Sequence, residues 1–229
     1  MTTHVRDVSE IDGRPVTLLD RQHKADMPWS YKSHFKRIFD VLFVLFAAFI
    51  ALPIIALMAL LAALDGASPF YRQRRVGKNG RIFDMIKIRT MVPDARGQLE
   101  NYLASDPLAR EEWDSTQKLK DDPRITTVGK IMRKSSLDEL PQLWNVLRGD
   151  MSIVGPRPMM EDQVHLYPGS EYYALRPGIT GPWQVSDRNN TTFAERAKFD
   201  TDYYNTLSFK TDLGFLVRTV GVVLRCTGY

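Results

Sequence analysis

The sequence predicts an α+β fold, mainly helical, in which a re-entrant membrane helix-break-helix precedes a small globular domain with a short β-hairpin and interfacial amphipathic helices. Three observations lead to this fold class. An uncharged apolar run of 24 residues, 41–64, interrupts an otherwise polar chain of 229 residues. A turn signal with apolar flanks follows at 68–91. Beyond it, apolar residues recur at helical spacing in several segments.

The composition limits the classes of binding partner but does not identify one. Charged residues make up 25% of the chain, which is ordinary for a globular protein, and the net charge is +4. A mild basic excess suits lipid headgroups, phosphorylated substrates or nucleic acid. Residues 1–34 are polar and show little periodicity, so we expect a flexible tail. The single cysteine, Cys226, excludes an intrachain disulfide and fits a reducing compartment.

The apolar run predicts membrane contact. As a straight helix it would be roughly 36 Å long, enough to span the hydrocarbon, and it starts too late for a secretory signal peptide. Pro53 at its centre favours a kink. Both flanks are basic, with Lys32, Lys36 and Arg37 before the run and Arg72, Arg74, Arg75, Lys78 and Arg81 after it. The positive-inside rule places both flanks on the cytoplasmic side, which favours a re-entrant hairpin at 35–66 over a single-pass anchor.

The first element after the membrane segment is a predicted β-hairpin around the turn at 78–80. On its second strand, Lys87 and Arg89 alternate with apolar residues. A charge in such a setting usually needs an anionic partner, so we assign Lys87 and Arg89 to substrate phosphates. The other basic residues of the hairpin fit a patch that binds anionic lipid.

Two adjacent acids mark the next element. Ser136 and Glu139 have the spacing of a capping box, which places Asp138 and Glu139 in the first turn of a helix that ends near Arg148, before Gly149. Helix capping alone would explain both acids. A helix N-terminus also lowers the pKa of an aspartate and keeps it ionised, as a carboxylate nucleophile or metal ligand requires.

Two rigid loops follow. Arg157 stands between two prolines, which suits a phosphate clamp or, alternatively, a surface turn. Arg176 begins a glycine-rich loop, 176–185, whose backbone amides could approach a nucleotide. Asp202 lies beside aromatic residues, and an amphipathic helix is predicted from Asp212 onward, either in the core or at the membrane interface.

Several motifs together resemble one family. They read KRIFD at 36–40, KIRTM at 87–91, DPRIT at 122–126, SLDELPQLWNVLRGDMSIVGPRP at 136–158 and RPGITGPWQV at 176–185. From about Phe35 to the C-terminus the chain resembles the bacterial sugar transferases, the monotopic polyprenyl-phosphate phosphoglycosyl transferases. It is similar to the small exopolysaccharide-initiating members, some of which use UDP-galactose. Where these relatives often carry a serine before the hairpin proline, this chain has Leu52, so Pro53 alone must bend the helix.

The resemblance implies a function. Residues 67–229 would form a catalytic domain on the cytoplasmic face of the inner membrane. The domain would move a sugar 1-phosphate, galactose 1-phosphate first, from a UDP-sugar to undecaprenyl phosphate and release UMP. Asp138 would be the nucleophile, forming a covalent phosphosugar, and Glu139 would bind Mg²⁺ beside it. Substrate phosphates and nucleotide would be held by Lys87, Arg89, Arg157 and Arg176, with Asp202 matching an acid of less defined role.

Alternatives stay open at this point. The donor could instead be UDP-glucose or a UDP-N-acetylhexosamine. A non-enzymatic membrane scaffold would leave Asp138 and Glu139 as mere caps. A nucleic-acid binder is suggested only by the basic isoelectric point, and no recognition-helix or zinc pattern supports it, so we expect no nucleic-acid partner. The sequence does not fix the oligomeric state, and a homodimer is one option.

Overall fold

The computed structural model describes residues 10–11, 14–15, 31–116, 119–186 and 193–224. The predicted tail, 1–34, lies mostly outside them. Its described part holds a two-residue strand pair, Glu10–Ile11 (β1) with Arg14–Pro15 (β2). A π-helical turn, Tyr31–Phe35, then leads into the first α-helix.

The described chain is mainly helical, as expected. Its helices are Lys36–Ala63 (α1), Ala95–Ser105 (α2), Pro107–Thr116 (α3), Thr127–Ser135 (α4), Gln142–Arg148 (α5), Glu171–Ala174 (α6), Arg196–Thr206 (α7) and Phe209–Leu224 (α8). The remaining strands are Phe70–Val76 (β3), Ile82–Ile88 (β4), Ser152–Val154 (β5) and Gly178–Thr180 (β6). Short 3₁₀ turns occupy Lys78–Gly80, Leu137–Glu139 and Glu161–Leu166.

Helix α1 is continuous over 28 residues and runs through Pro53. This corrects the predicted helix-break-helix. Proline removes one backbone hydrogen bond, and a helix made largely of Leu, Ala and Ile keeps the rest, so a single proline bends such a helix more readily than it ends it. In the described part of the chain α1 is the one helix long and apolar enough to cross a membrane, and most of its surface is exposed, Phe49 by 88%.

Both ends of α1 contact the globular domain. Near its start, Arg37 donates hydrogen bonds to the carbonyl oxygens of Val146 and Leu147 at the end of α5. At its other end, the carbonyl of Ala62 accepts a hydrogen bond from Arg89 in the segment after β4 (2.7 Å). One domain therefore holds the helix at two points that are 25 residues apart in sequence.

The predicted β-hairpin is confirmed. Strands β3 and β4 pair in antiparallel register from Phe70↔Ile88 to Val76↔Ile82. In the turn between them, Asn79 has a φ of 58°, a left-handed conformation that asparagine tolerates. Inward-facing residues of β4, Phe83 and Met85, join the core with Val146 of α5 and with β5.

The two glycine-bearing loops pack on each other. Strands β5 and β6 pair in parallel, and a Cβ atom at Gly178 would lie 2.1 Å from the backbone nitrogen of Gly155. At Gly181 it would lie 1.9 Å from the carbonyl oxygen of Gly155. These glycines therefore allow the two loops to approach closely.

A buried polar network joins α1 to α8. Lys36 pairs with Asp40 (3.1 Å) and with Asp212 of α8 (2.8 Å). Asp212 also accepts a hydrogen bond from the Tyr203 hydroxyl (2.6 Å), and Asp40 accepts one from Ser152 of β5 (2.7 Å). The neighbouring Arg37 caps the end of α5 through the carbonyls of Val146 and Leu147. The network fixes the start of the apolar helix to the domain core.

Candidate active site

Asp138 and Glu139 lie in a tight 3₁₀ turn between two helices. Helix α4 ends at Ser135, and Ser136 takes a left-handed conformation, with a φ of 58°, from which the turn starts. Helix α5 begins only at Gln142, so the acids are not in its first turn and Ser136 makes no side-chain cap, contrary to the sequence prediction. Pro141 explains the difference, since its ring would clash with a helical carbonyl four residues earlier.

Burial dominates the electrostatics of Asp138. Its side chain is largely buried, with 8% of the residue exposed. Burial raises the pKa of Asp138 to about 6, the Glu139 charge adds to the rise, and the cations of Lys87 and Arg133 oppose it. The sequence predicted a lowered pKa from a helix N-terminus. Because α5 starts only at Gln142, its N-terminus does not lower the pKa of Asp138, and desolvation raises that pKa instead.

Lys87 faces the two acids from β4. Its ammonium lies 2.7 Å from the Glu139 carboxylate and 4.0 Å from that of Asp138. The buried Asn145 of α5 sets this register, because its side chain accepts from the backbone N–H of Ile86 (3.1 Å) and donates to the carbonyl of Asp84 (2.7 Å). Lys87 therefore lies beside the two acids of the predicted site.

Asp138, Glu139 and Lys87 line a cavity of about 880 Å³. Arg157, the predicted phosphate clamp, is also among the lining residues. The lining contains basic side chains, among them Arg124 and Arg133, and apolar ones, among them Leu140, Leu143, Ile179, Val185 and Val222. Such a volume is in the range of sites that hold nucleotide-sized ligands.

Arg89, assigned from sequence to a substrate phosphate, has another task in the structure. It donates to both carboxylate oxygens of Asp65 (2.6 and 2.8 Å) and to the carbonyls of Ala62, Ser68 and Met91. A guanidinium has five N–H donors, and these bonds use all of them. Arg89 borders the cavity but fastens the end of α1 instead of presenting donors to a phosphate.

Two further predicted residues lie outside the cavity lining. Arg176 donates to the carbonyl of Gly149 (2.9 Å) and so supports the turn after α5. Asp202 is exposed on α7. Its neighbour Asp200 is buried and accepts a hydrogen bond from Tyr167 (2.7 Å), and burial raises the pKa of Asp200 to about 6.

The carboxylate pair fits a magnesium ion, although the residues that the structure describes include no group of three or more His, Cys, Asp or Glu side chains able to hold a metal. Mg²⁺ is commonly bound through one or two carboxylates with substrate phosphates and water completing the shell. Asp138 and Glu139 supply such a pair in the cavity wall.

Three arginines near the site were not singled out from the sequence. Arg133 at the end of α4 donates to the Thr90 hydroxyl (2.9 Å), and its charge opposes the rise in the pKa of Asp138. Arg75 and Arg196 lie near Arg157. Only Arg75 carried a sequence signal, as one of the basic residues of the hairpin that fit a patch for anionic lipid, and the proximity of the others arises from tertiary packing.

A family model described as "Bacterial sugar transferase" matches residues 31–226. The Sinorhizobium fredii exopolysaccharide production protein ExoY is 48% identical over 166 residues, which cover 72% of this chain and 74% of that protein. A Salmonella typhimurium undecaprenyl-phosphate galactose phosphotransferase is 42% identical over 224 residues, 97% of this chain but 47% of that protein. A Caulobacter vibrioides UDP-glucose:undecaprenyl-phosphate glucose-1-phosphate transferase is 37% identical over 201 residues, covering 82% and 69%.

Proposed function

The chain belongs to the bacterial sugar transferase family, and from this premise we propose that it transfers a sugar 1-phosphate from a UDP-sugar to undecaprenyl phosphate and releases UMP. The observation that carries the proposal is the buried Asp138 beside Glu139 and Lys87 in a cavity bounded by arginines, next to an apolar helix. A water-soluble anionic donor and a lipid phosphate could both reach such a site.

Asp138 acts as the nucleophile in this proposal. One of its carboxylate oxygens attacks the phosphorus that carries the sugar, a new P–O bond forms, and the bond from that phosphorus to the UMP oxygen breaks. An oxygen of undecaprenyl phosphate then attacks the same phosphorus, and the bond to Asp138 breaks. The carboxylate returns unchanged, so the same residue serves both steps.

The surrounding charges suit this chemistry. With a pKa of about 6, Asp138 is mostly ionised at neutral pH, so it is available as a nucleophile. Lys87 and Arg157 would bind phosphate oxygens and offset the charge that builds up on them. Mg²⁺ held by Glu139 and Asp138 would reduce the repulsion between a carboxylate and a diphosphate.

The preferred donor in this proposal is UDP-galactose, and the product would begin an exopolysaccharide. The name of the Salmonella relative supports galactose, the name of the Caulobacter relative supports glucose as the second candidate, and the ExoY name supports exopolysaccharide production. A UDP-N-acetylhexosamine is a third donor class.

A donor panel tests this function. Purified protein in nanodiscs would be given Mg²⁺, undecaprenyl phosphate and, in turn, UDP-galactose, UDP-glucose and UDP-N-acetylglucosamine, with UMP release as the readout. The proposal predicts acceptor-dependent release that is fastest with UDP-galactose. If folded protein releases no UMP from any of these donors, the scaffold interpretation is the better one.

We also propose that α1 enters the inner membrane from the cytoplasmic side and returns to it. A straight helix of 28 residues is about 42 Å long. If it crossed the bilayer, its ends would lie on opposite faces. The contacts of Arg37 and of Ala62 with one domain support a bend, and Pro53 is the position best suited to it. The exposed apolar face of α8, Leu213, Val217 and Val220, supports contact with the same interface.

Labelling in cells tests the re-entrant topology. With Cys226→Ser as background, Asp20→Cys would be treated with a membrane-impermeant maleimide in intact spheroplasts. A re-entrant α1 keeps residue 20 inside, so labelling should require permeabilisation. Labelling of intact spheroplasts would show that the helix spans the membrane.

A further inference from the structure

The DPRIT motif at 122–126 has no part in the reaction proposed above, yet one of its side chains reaches the cavity. Asp122 and Arg124 are buried, with 6% and 9% of each residue exposed. The two carboxylate oxygens of Asp122 accept hydrogen bonds from Nε (2.8 Å) and Nη2 (2.6 Å) of Arg124. Arg124 lines the cavity that contains Asp138. Because a two-bond pairing fixes the plane of a guanidinium, the motif holds Arg124 at the cavity in one orientation.

One nitrogen of Arg124 remains for a ligand. Its Nη1 atom makes no hydrogen bond with the residues that the structure describes, and it is not enclosed by protein. Nη1 carries two N–H donors. The accessible part of Arg124 borders the cavity, so a molecule bound there can accept hydrogen bonds from these donors.

An indole ring lies against this guanidinium. Trp113 of α3 lines the same cavity, and the guanidinium carbon of Arg124 is 5.2 Å from the centre of its ring. The carboxylate of Glu112 accepts a hydrogen bond from the backbone N–H of Lys120 (2.9 Å), which ties α3 to the segment before the motif. An aromatic ring beside a guanidinium is a surface on which a planar ring can stack.

The charge of this part of the cavity is balanced. Asp122 neutralises Arg124, since the two form a buried salt bridge (2.6 Å). A phosphate gains little from a cation that a carboxylate already compensates. A neutral group with carbonyl oxygens can accept from Nη1 without disturbing the pair. A pyrimidine base is neutral and planar and carries such oxygens, whereas a hexose has hydroxyl groups but no planar ring.

The motif also lies close to the reacting groups. Arg133 lines the cavity, and burial lowers its pKa. The charges of Asp138 and Asp122 oppose this shift, and the charge of Arg124 adds to it, so Arg133 is near both the nucleophile and the motif. A nucleotide with its phosphates near Asp138 can therefore place its base at Trp113 within one cavity.

We propose that Trp113 and Arg124 bind and select the uracil ring of the donor, with Trp113 stacking on the ring and Nη1 of Arg124 donating to uracil O4. O4 lies on the edge of the ring away from the ribose, where a side chain of the cavity wall can reach it. The identity of the ligand rests on the proposed function, and the inference adds the residues that recognise the base. Cytosine has an amino group in place of O4, so the site predicts a preference for uridine over cytidine nucleotides.

Nucleotide binding tests the site without turnover. Calorimetric titration of the full chain in nanodiscs with Mg²⁺ would compare UMP with CMP. The wild type should bind UMP about tenfold more tightly than CMP. Trp113→Leu should weaken both by about tenfold, because stacking tolerates any base. Trp144→Leu is the matched control, since Trp144 is 56% exposed on α5 and lies outside the cavity lining, and it should leave both affinities unchanged.

The arginine is tested by selectivity. Arg124→Lys keeps a cation beside Asp122 but removes Nη1, so the UMP-to-CMP preference should fall towards one. Arg148→Lys is its control, because Arg148 pairs with Asp150 (3.3 Å) with half of its side chain exposed, and should keep the wild-type preference. A purely structural arginine would weaken the two nucleotides equally and leave their ratio unchanged, which would contradict the proposal.

A conservative variant separates stacking from packing. Trp113→Phe loses volume in α3 as Trp113→Leu does but keeps an aromatic face, so it should bind UMP within about threefold of the wild type. Equal losses in the two variants would contradict stacking. Galactose 1-phosphate identifies a hexose instead: if Trp113→Leu weakens its binding and leaves UMP binding unchanged, the site holds the sugar and the proposal is overturned.

The two proposals fail separately. If the variants discriminate UMP from CMP as predicted while no donor gives turnover, the uracil site stands and the proposed function fails. If UDP-sugars turn over while Trp113→Leu and Arg124→Lys bind UMP and CMP as the wild type does, the function stands and the uracil site fails. A wild type that binds UMP and CMP equally, or binds neither, would also overturn the site.

Discussion

Asp138 illustrates how one residue combines burial with charge. Desolvation raises its pKa, and Lys87 and Arg133 limit the rise, so the group titrates near pH 6 instead of near 4. A carboxylate that is less well solvated is also a stronger nucleophile once it is ionised. The site thus keeps Asp138 reactive at neutral pH without leaving it in bulk water.

The first prediction concerns the pH dependence of catalysis. The ionised form of Asp138 is needed, so kcat/KM for UMP release should be flat near neutral pH and fall about tenfold per unit below pH 6. The measurement is the initial rate at low donor concentration between pH 5 and 8. A profile that stays flat down to pH 5 would contradict the raised pKa of the nucleophile.

The second prediction concerns stability. The folded pKa of Asp138, about 6, exceeds its ordinary value of 3.8, so folding favours the protonated form and the wild type loses stability as pH rises between these values. Asp138→Asn removes that loss. Above pH 6 it should unfold with a free energy higher by on the order of 1–2 kcal/mol and melt several degrees higher.

Thermal melts of both proteins at pH 4 and pH 7.5 check this. The difference between them should shrink towards pH 4, where both side chains are neutral. A mutant that melts below the wild type at pH 7.5 would mean that Asp138 serves the fold.

For individual residues, the sequence predicted four of the side chains that line the cavity but not the electrostatics of the site. Asp138, Glu139, Lys87 and Arg157 line one cavity, as the motifs indicate. The direction of the Asp138 pKa was wrong because it depended on a helix start that Pro141 moves to Gln142. Arg89 differs because its acceptors, Asp65 and three carbonyls, are brought to it by tertiary structure.

Hydrogen bonds of Arg89 join the end of α1 to the segment after β4. Arg89 fastens Asp65 and the last turn of α1, two residues from Lys87. The end of the apolar helix and the cation at the nucleophile are therefore parts of one connected segment.

The third prediction follows from this connection. Arg89→Lys retains one charge but loses most of the five bonds, so the melting temperature should fall while the KM for the UDP-sugar stays within about twofold, because no Arg89 donor is left for substrate. Donor KM and thermal melts in nanodiscs are the measurements. A tenfold rise in donor KM would restore the phosphate role predicted from sequence.

Local signals predicted elements well where they act within a few residues. The turn at 78–80 and the amphipathic helix predicted from Asp212 onward appear as expected. The effects of proline were predicted wrongly in two places. Pro53 was expected to break the membrane helix but lies inside the continuous α1. Pro141 was expected inside a helix but precedes α5, which begins at Gln142. Whether a proline is tolerated depends on where it falls in the helix, which spacing patterns do not encode.

Across the whole molecule, the buried network of Lys36, Asp40 and Asp212 joins the first and last helices of the described chain. Asp212 is fully buried and also accepts from Tyr31 (2.7 Å) and Tyr203. Contacts between residues 36 and 212 lie beyond any periodicity argument, so the sequence predicted both helices without predicting that they meet.

The fourth prediction tests this network. Asp212→Asn leaves buried Lys36 with one acid instead of two, and breaking a buried ion pair commonly costs several kcal/mol. The melting temperature should fall by on the order of 10 °C. Asp202→Asn is the control, since Asp202 is exposed on α7 and should change it by about 1 °C or less. Equal melting of the two mutants would mean that the network does not hold α8 in place.

The central claim is that Asp138 carries the phosphosugar between the two substrates, and mass spectrometry of the protein incubated with UDP-galactose and Mg²⁺ without acceptor tests it most directly. The account predicts a burst of about one UMP per protein and a gain of one hexose phosphate on the peptide that contains Asp138. Both should be absent in Asp138→Asn, and adding undecaprenyl phosphate should discharge the adduct. Turnover with acceptor but neither burst nor adduct without it, or normal activity in Asp138→Asn, would contradict the account.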